Sequence, residues 1–427
     1  MPTTPCPHPL RTALYNEVHA RPYERMQAPL AFSHLAFVCD AGAREAERAH
    51  LETLLTDLHL PVPAADANHL SVELPGCRLR WERHTEFVAY TVLRGLKPGE
   101  ALDATPAHRS LPEDWLAAMP GQLLVASRGL VLMQSARPLR ELADRWLEAD
   151  TLVAAGIADG DLQVFGDLRL HPDGYGRWLV GVGNAAMSQR RLGRYLQRLL
   201  EIDTYRMMAL LGLPAARAVT RRLDELEPQL AQLAASGHGT SLAEETAQLD
   251  ALTRLAREIE GAYAQHHGRF SASSAYFALV EQRIDELREE RIEGLQTIRE
   301  FVDRRLKPAM TTTAWASRRL GALSERVSRA SELLRTRVEI EQQEQAHQML
   351  GSMNRRQQLQ LRLQAAVESL SVAAITYYGA GLVGYLAKGL YAARLPVPVE
   401  LVVAASVPLI AISAWLGLRK LRRRVEA

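Results

Sequence analysis

The chain has 427 residues, of which 47% are hydrophobic and 23% charged, which excludes a disordered tail and allows at least one substantial buried core. Its 51 basic and 49 acidic side chains give a formal charge of +2, so no overall electrostatic field favours nucleic acid. Cys6, Cys39 and Cys77 lie far apart, which indicates a reduced compartment and excludes a familiar zinc-binding spacing. The first ten residues lack the charged and apolar regions of a secretory signal.

The first 187 residues alternate short apolar runs with turn residues, which predicts a mixed α/β domain over residues 1–187. Residues 69–94 read as three strands, and the turn pair Pro75-Gly76 joins the first two. Helical patterns occur near residues 43–58 and 139–148. Because such hairpins join antiparallel strands, we do not expect an all-parallel sheet. Further strands are predicted at AFSHLAFV, GQLLVASRGLVLM, LQVFGDLRL and GRWLVGV.

Two polar stretches of this domain are candidates for a ligand site. WERHTEF, residues 81–87, alternates as a strand would, and NEVHARP, residues 16–22, is a second charged stretch. Histidines and carboxylates can bind metals or transfer protons, but the chain has no H-E-x-x-H, G-x-S-x-G or phosphate-loop motif. We therefore expect no metal site and no cofactor, assign no catalytic residue, and keep a membrane-tethered enzyme as an alternative. The possible ligand face consists of Glu17, His19, Arg21, Glu82, His84 and Glu86.

From Ser188 onwards the apolar period changes from two to 3.6, which predicts helices without further strands. A first helix is expected to end near residues 212–214, and a second follows it. Ser241 and Glu244 form a capping box that opens a third helix. A long helical run from about Ser273 then leads to the apolar C-terminal segments, and Pro308 is expected to interrupt it.

Part of this run has apolar residues at heptad spacing, which predicts a helical bundle or coiled-coil stalk over residues 188–369. Acidic and basic residues interleave on its other faces, which favours a solvated stalk over a nucleic-acid surface. We expect a homo-oligomer held together through this stalk. The heptad seam consists of Ala316, Leu320, Leu323, Val327, Ala330 and Leu334.

Two stretches of eighteen residues, 371–388 and 401–418, contain no charge apart from Lys388 at the end of the first. Each would form a helix of about 27 Å, close to the hydrocarbon thickness of a bilayer. A transmembrane helical hairpin over residues 370–418 is therefore predicted, with a pair of buried core helices as the alternative. The residues that characterise the hairpin are Ser371, Tyr377, Tyr378, Gly379, Gly381, Gly384, Leu401, Pro408 and Trp415.

The GAGLVG of residues 379–384 matches the spacing of a dinucleotide fingerprint. That fingerprint needs a strand before it and a helix opening at it, whereas a predicted helix precedes it here and apolar sequence follows. We therefore reject a nucleotide site at this position.

Basic residues gather at both ends of the hairpin, whereas its connecting loop has only Lys388 and Arg394. By the positive-inside rule, both termini face the cytoplasm and the hairpin lies in the inner membrane. We expect the tail, residues 419–427, to lie at lipid headgroups. The basic residues at the two ends are Arg355, Arg356, Arg362, Arg419, Lys420, Arg422, Arg423 and Arg424.

Five stretches, spread along the chain from residue 16 to residue 390, resemble one bacterial family. They are NEVHARP (16–22), WERHTEF (81–87), RLLEIDTYRMMALLGLP (198–214), RIDELREERIEGLQTI (283–298) and LSVAAITYYGAGLVGYLAKGL (370–390). They are similar to a family catalogued as domain of unknown function 3422 and described as membrane-anchored. The resemblance implies a topology and no chemistry.

The predicted architecture also resembles that of CorA-type magnesium channels, which place two membrane helices and a basic tail after a long helical stalk. Their signature is Gly-Met-Asn after a tyrosine, whereas Tyr378-Gly379 is followed here by Ala380 and Gly381. The departure argues against a familiar cation filter. The expected fold class is α+β: a mixed α/β domain, a helical bundle or coiled-coil stalk, and a transmembrane hairpin. The expected function is an oligomeric, membrane-anchored cytoplasmic sensor, scaffold or interaction protein, with a cation channel as an alternative.

Overall fold

The computed structural model of the protein describes residues 8–12, 14–15, 22–97, 100, 105–134, 139–235, 242–392 and 398–425. The chain divides into two compact units, one of Met1–Ser236 with Ala251–Arg329 and one of Gly237–Asp250 with Ala330–Ala427. The predicted fold class is confirmed, because a mixed sheet is followed by long helices and an apolar C-terminal helix.

In the described ranges, one mixed sheet has the strand order β2-β3-β4-β1-β5-β8-β7-β6-β9. Neighbouring strands are antiparallel except for the β5–β8 pair, so the expectation of hairpins is confirmed. Pro75-Gly76 joins β2 to β3, and Gly76 has a φ of 81°, which suits glycine. The strands are β1 Leu30–Val38, β2 His69–Leu74, β3 Cys77–Arg83, β4 Phe87–Gly95, β5 Gln122–Met133, β6 Val153–Ile157, β7 Leu162–Gly166, β8 Gly176–Val182 and β9 Glu290–Arg291.

Helices cover both faces of this sheet. The helices of the described residues are α1 Ala41–Asp57, α2 Glu113–Ala117, α3 Leu139–Trp146, α4 Gln189–Leu210, α5 Gly212–Ala235, α6 Leu242–Leu287, α7 Ile298–Phe301, α8 Lys307–Ala392 and α9 Val399–Val425. Short 3-10 helices lie at Ala107–Ser110 and Ala149–Thr151, and a π-helical turn at Val302–Leu306 precedes α8.

The alternation of side chains along the strands divides the core into two layers. Phe32 of β1 packs in the cluster that contains Leu196 of α4 and Ile284 of α6. Leu35, three residues later, packs in the opposite cluster with Leu51 of α1. The helix that follows residue 187 therefore belongs to the sheet's core, although its periodicity marks the start of the helical part of the chain.

The expectation that strands end before Ser188 is wrong, because β9 pairs with β6. The helical run also breaks between α6 and α7, where Arg288 adopts a left-handed φ of 53°. The Glu289 carboxylate there accepts the backbone N–H groups of Ile298 and Arg299, which caps α7. Pro308 does not end the helix, because α7, the π-helical turn Val302–Leu306 and α8 follow one another without a break. The π-helical turn directly before Pro308 is a local departure from α geometry, next to a residue that lacks a backbone N–H. The capping box at Ser241 lies outside the described residues.

Residues of the predicted heptad seam are buried by other helices of the same chain. Leu323 and Val327 are each 1% exposed, and heptad-spaced apolar residues are buried on α5 and α6 as well. Ion pairs join the same helices, from Arg319 of α8 to Glu227 of α5 at 2.8 Å and from Arg222 of α5 to Glu258 of α6. The intramolecular bundle of α5, α6 and α8 thus accounts for the burial of the seam up to Val327.

Candidate functional site

The predicted ligand face lies at the hairpin that joins β3 to β4. Glu82 is in β3, but the strand ends at Arg83 and residues 84–86 form the connection to β4. The strand alternation therefore does not extend to Glu86, which forms an ion pair with Arg269 of α6 at 3.0 Å. Glu17, His19 and Arg21 lie outside the described residues.

Glu82 and His84 line a small cavity between the sheet and α4. Its volume is about 20 Å³, which is room for about one water molecule. The strands and α4 both contribute polar groups to a lining that is otherwise mostly apolar. Besides Glu82 and His84, the lining includes Met26, His34, Arg80, Phe87, Ala89, Thr91, Gln197, Leu200, Glu201, Thr204 and Tyr205.

His34 is the most enclosed histidine of this pocket. Its two ring nitrogens lie 2.9 Å from the hydroxyl oxygens of Thr91 and Thr204, so one nitrogen donates and the other accepts. Burial lowers the pKa of His34 to about 4, so the ring is neutral at pH 7. His34 therefore acts as a structural link between β1, β4 and α4.

Arg80 and Glu82 form a buried ion pair at the same pocket, with 2.7 Å between Nη2 and Oε1. Burial opposes ionisation of Glu82, but the Arg80 charge outweighs it and holds the pKa of Glu82 below its usual range. Among the described residues, Arg80 Nε and Gln197 Oε1 are buried without a hydrogen-bond partner. One unused donor and one unused acceptor match the needs of a single bridging water.

A strap formed by residues 22–27 crosses α4 beside this pocket. The Met26 N–H donates to the Gln189 carbonyl at 3.1 Å, and Glu24 pairs with Arg78 at 3.2 Å. Gly193 permits the close approach, because a Cβ there would lie 1.8 Å from the Glu24 carbonyl oxygen. NEVHARP thus leads directly into the segment that borders the pocket.

The buried polar residues of α4 were not predicted from the sequence. Asp203 accepts a hydrogen bond from the Ser127 hydroxyl and pairs with Arg206, while Thr204 reaches His34. Burial opposes ionisation of Asp203, but Arg206 and Ser127 outweigh it and lower its pKa. The sequence feature that could have indicated them is an adjacent Asp and Thr within the otherwise apolar face of RLLEIDTYRMMALL.

A second polar cluster lies on the other face of the sheet. Asp173 contacts Arg128 at 2.6 Å and Arg177 at 3.5 Å, and His171 pairs with Asp167 at 2.6 Å. Gly174, with a φ of 81°, lies in the turn before β8. Within the described ranges, no group of three or more His, Cys, Asp or Glu side chains is arranged to hold a metal ion. These contacts hold the β7–β8 connection in place.

The C-terminal helices α8 and α9 contain the predicted membrane residues and contact each other in the second unit. Both α8 and α9 contain a window long and apolar enough to cross a membrane, with 6% and 0% of the two windows buried. A Cβ on Gly379 would lie 3.1 Å from Ile410, and one on Gly384 would lie 3.4 Å from Val403. The two helices therefore pack closely at these glycines.

The remaining hairpin residues lie on other faces. Tyr377, Tyr378, Leu401 and Trp415 are exposed, and a Cβ on Gly381 would meet open space. Ser371 donates to the Val367 carbonyl, and Pro408 lies inside α9. GAGLVG lies wholly within α8, so the strand that a nucleotide fingerprint requires is replaced by helix. Arg394 is outside the described residues.

Comparison with known proteins gives one family and no characterised relative. No curated protein matches the chain, and no solved structure matches it. The family model described as "Protein of unknown function (DUF3422)" matches residues 6–425. This match extends over almost all of the 427 residues and confirms the resemblance seen in the sequence motifs. The chain belongs to the DUF3422 family of proteins of unknown function.

Proposed function

We propose that the protein is anchored in the cytoplasmic membrane of a bacterium by the hairpin of α8 and α9. One observation supports this proposal most directly. Two long apolar helices pack against each other at Gly379 and Gly384, while their other faces are exposed. Core helices of a water-soluble protein would be mostly buried, whereas lipid-facing helices need no protein cover.

We propose that both ends of the hairpin lie on the cytoplasmic side. Arg419 and Lys420 follow the second apolar window, and Arg355, Arg356 and Arg362 precede the first, whereas the connection carries only Lys388 and Arg394. This asymmetry supports a cytoplasmic location for the sheet and its helices.

The orientation predicts a labelling result in intact cells. A cysteine at Ala392→Cys is expected to react with a membrane-impermeant maleimide, because the connection would lie outside. A cysteine at Ser274→Cys, an exposed position on α6, is expected to react only after cell rupture. Reaction of Ala392→Cys only after rupture would contradict the proposed topology.

For the cytoplasmic unit, we propose a role as a sensor, scaffold or interaction module and not as an enzyme. The pocket near Glu82 and His84 has room for about one water molecule. His34, Glu82 and Asp203 are already engaged by neighbours within the fold. A substrate would have to displace these buried interactions before it could reach the polar groups.

The alternative function is a magnesium channel, and a transport assay distinguishes it from a membrane anchor. A conducted divalent cation needs oxygen ligands at the pore mouth, and the outer end offers Glu400 beside Lys388 and Arg394. We therefore expect proteoliposomes with the protein to show no magnesium flux above empty vesicles. A flux that rises with the magnesium gradient and disappears in Glu400→Gln would replace the anchor proposal with a channel.

A further inference from the structure

The face of α8 that points away from α9 carries polar groups in the apolar part of the hairpin. Ala374, Tyr378, Gly381 and Tyr385 follow one another at spacings of four, three and four residues. We name these four residues the tyrosine stripe. On a helical wheel of about 100° per residue, Tyr378 and Tyr385 lie about 170° from the midpoint of Gly379 and Gly384. The stripe is thus opposite the contact with α9.

The tyrosine stripe is uncovered within the described chain. Tyr378 is 75% exposed and Tyr385 is 78% exposed. Between them, Gly381 leaves open space where a side chain would otherwise project. Two bulky residues with a gap between them form the knobs and the hole that a second helix of the same kind would fit.

Lipid is a poor environment for these hydroxyl groups. Tyr385 lies three residues before Lys388, but helical side chains lean towards the helix N-terminus, so its hydroxyl leans back into the span. Tyr378 lies seven residues after Ser371, or about 10 Å into the span. Hydrocarbon offers no hydrogen-bond partner, which favours a protein surface that does.

We propose that the tyrosine stripe binds the same stripe of a second copy of this chain, so that the protein self-associates inside the membrane. A tyrosine hydroxyl both donates and accepts, so identical stripes satisfy each other. Copies anchored by the same hairpin share one orientation and one depth, which places Tyr378 beside Tyr378. This inference rests on the proposed membrane anchoring. It also assigns self-association to a face other than the heptad seam of residues 316–327, which is buried within the chain.

Cysteine cross-linking of the full chain in membranes tests the interface. Copper-phenanthroline with oxygen oxidises two neighbouring thiols to a disulfide. All variants carry Cys6→Ser, and the native Cys39 and Cys77 are buried. Gly381→Cys is expected to form a disulfide-linked dimer at least about fivefold more than Gly417→Cys, because only the stripe meets a second copy. Gly417 is the matched control, since a Cβ there also meets open space but lies on α9.

A second variant removes only the hydroxyl groups. Adding Tyr378→Phe and Tyr385→Phe to Gly381→Cys is expected to lower the cross-linked fraction at least about twofold, because the rings remain but cannot hydrogen-bond. Equal cross-linking at residues 381 and 417, or cross-links only to proteins of other mass, would overturn the proposed interface.

Membrane retention after an alkaline carbonate wash separates the two proposals. Release of the wild-type chain would refute the anchoring on which the interface rests. Retention of a chain that stays monomeric by mass measurement in mild detergent would refute the interface and leave the anchoring intact.

Discussion

Replacing Glu47 with alanine is expected to lower the free energy of unfolding by about 3–5 kcal/mol, because two buried donors lose their acceptor and a cavity opens. Glu47 of α1 has no exposed surface. It accepts hydrogen bonds from Trp81 Nε1 at 2.8 Å and from the Tyr90 hydroxyl. Urea denaturation of the full chain in detergent, followed by near-ultraviolet circular dichroism, measures the change.

Glu47→Gln is the matched control, because its amide oxygen still accepts from both donors. Burial raises the pKa of Glu47, and this effect exceeds the opposite effect of the hydrogen bonds from Tyr90 and Trp81. The folded state therefore favours the protonated acid. The resulting contribution to the free energy of unfolding is fully present below the unfolded pKa of about 4.3 and is lost as the pH rises through the folded pKa. We expect the wild type to lose stability over that pH range and Glu47→Gln to lack this loss. Equal pH profiles would contradict the assignment.

Gly193→Ala is expected to destabilise the unit that contains the sheet by about 3 kcal/mol, at the upper end of the usual range for an overpacked site. The new Cβ would lie 1.8 Å from the backbone oxygen of Glu24, and neither backbone can give way as a flexible side chain would. The strap of residues 22–27 is therefore expected to separate from α4. Hydrogen exchange at Met26, whose N–H donates to Gln189, reports this separation.

Gly261→Ala provides the comparison, because Gly261 is also helical but a Cβ there meets open space. That substitution is expected to raise the free energy of unfolding by about 0.5–1 kcal/mol, since alanine favours the helix over glycine. If Gly193→Ala were as stable as Gly261→Ala, with Met26 still protected, the strap would not be held at Gly193.

The pocket shows why single residues of the sequence did not indicate a site. His34 reaches Thr91, 57 positions away, and Thr204, 170 positions away. None of these residues belongs to a motif, and each type is common in structural roles. Only the packing of α4 across β1 and β4 brings them within hydrogen-bond distance. Two residues of the WERHTEF stretch, Glu82 and His84, line the pocket.

Local patterns in the sequence determined the element types and the C-terminal hairpin. Period-two runs gave the strands, the Pro75-Gly76 turn joined β2 to β3, and two uncharged stretches gave the apolar helices, because these signals depend on neighbours along the chain. Tertiary structure decided which surface covers the seam at Leu323, since a heptad pattern requires a partner helix without specifying whether it comes from the same chain. It also decided the break at Arg288, where pairing of β9 with β6 and the capping of α7 by Glu289 override a charged sequence that favours helix.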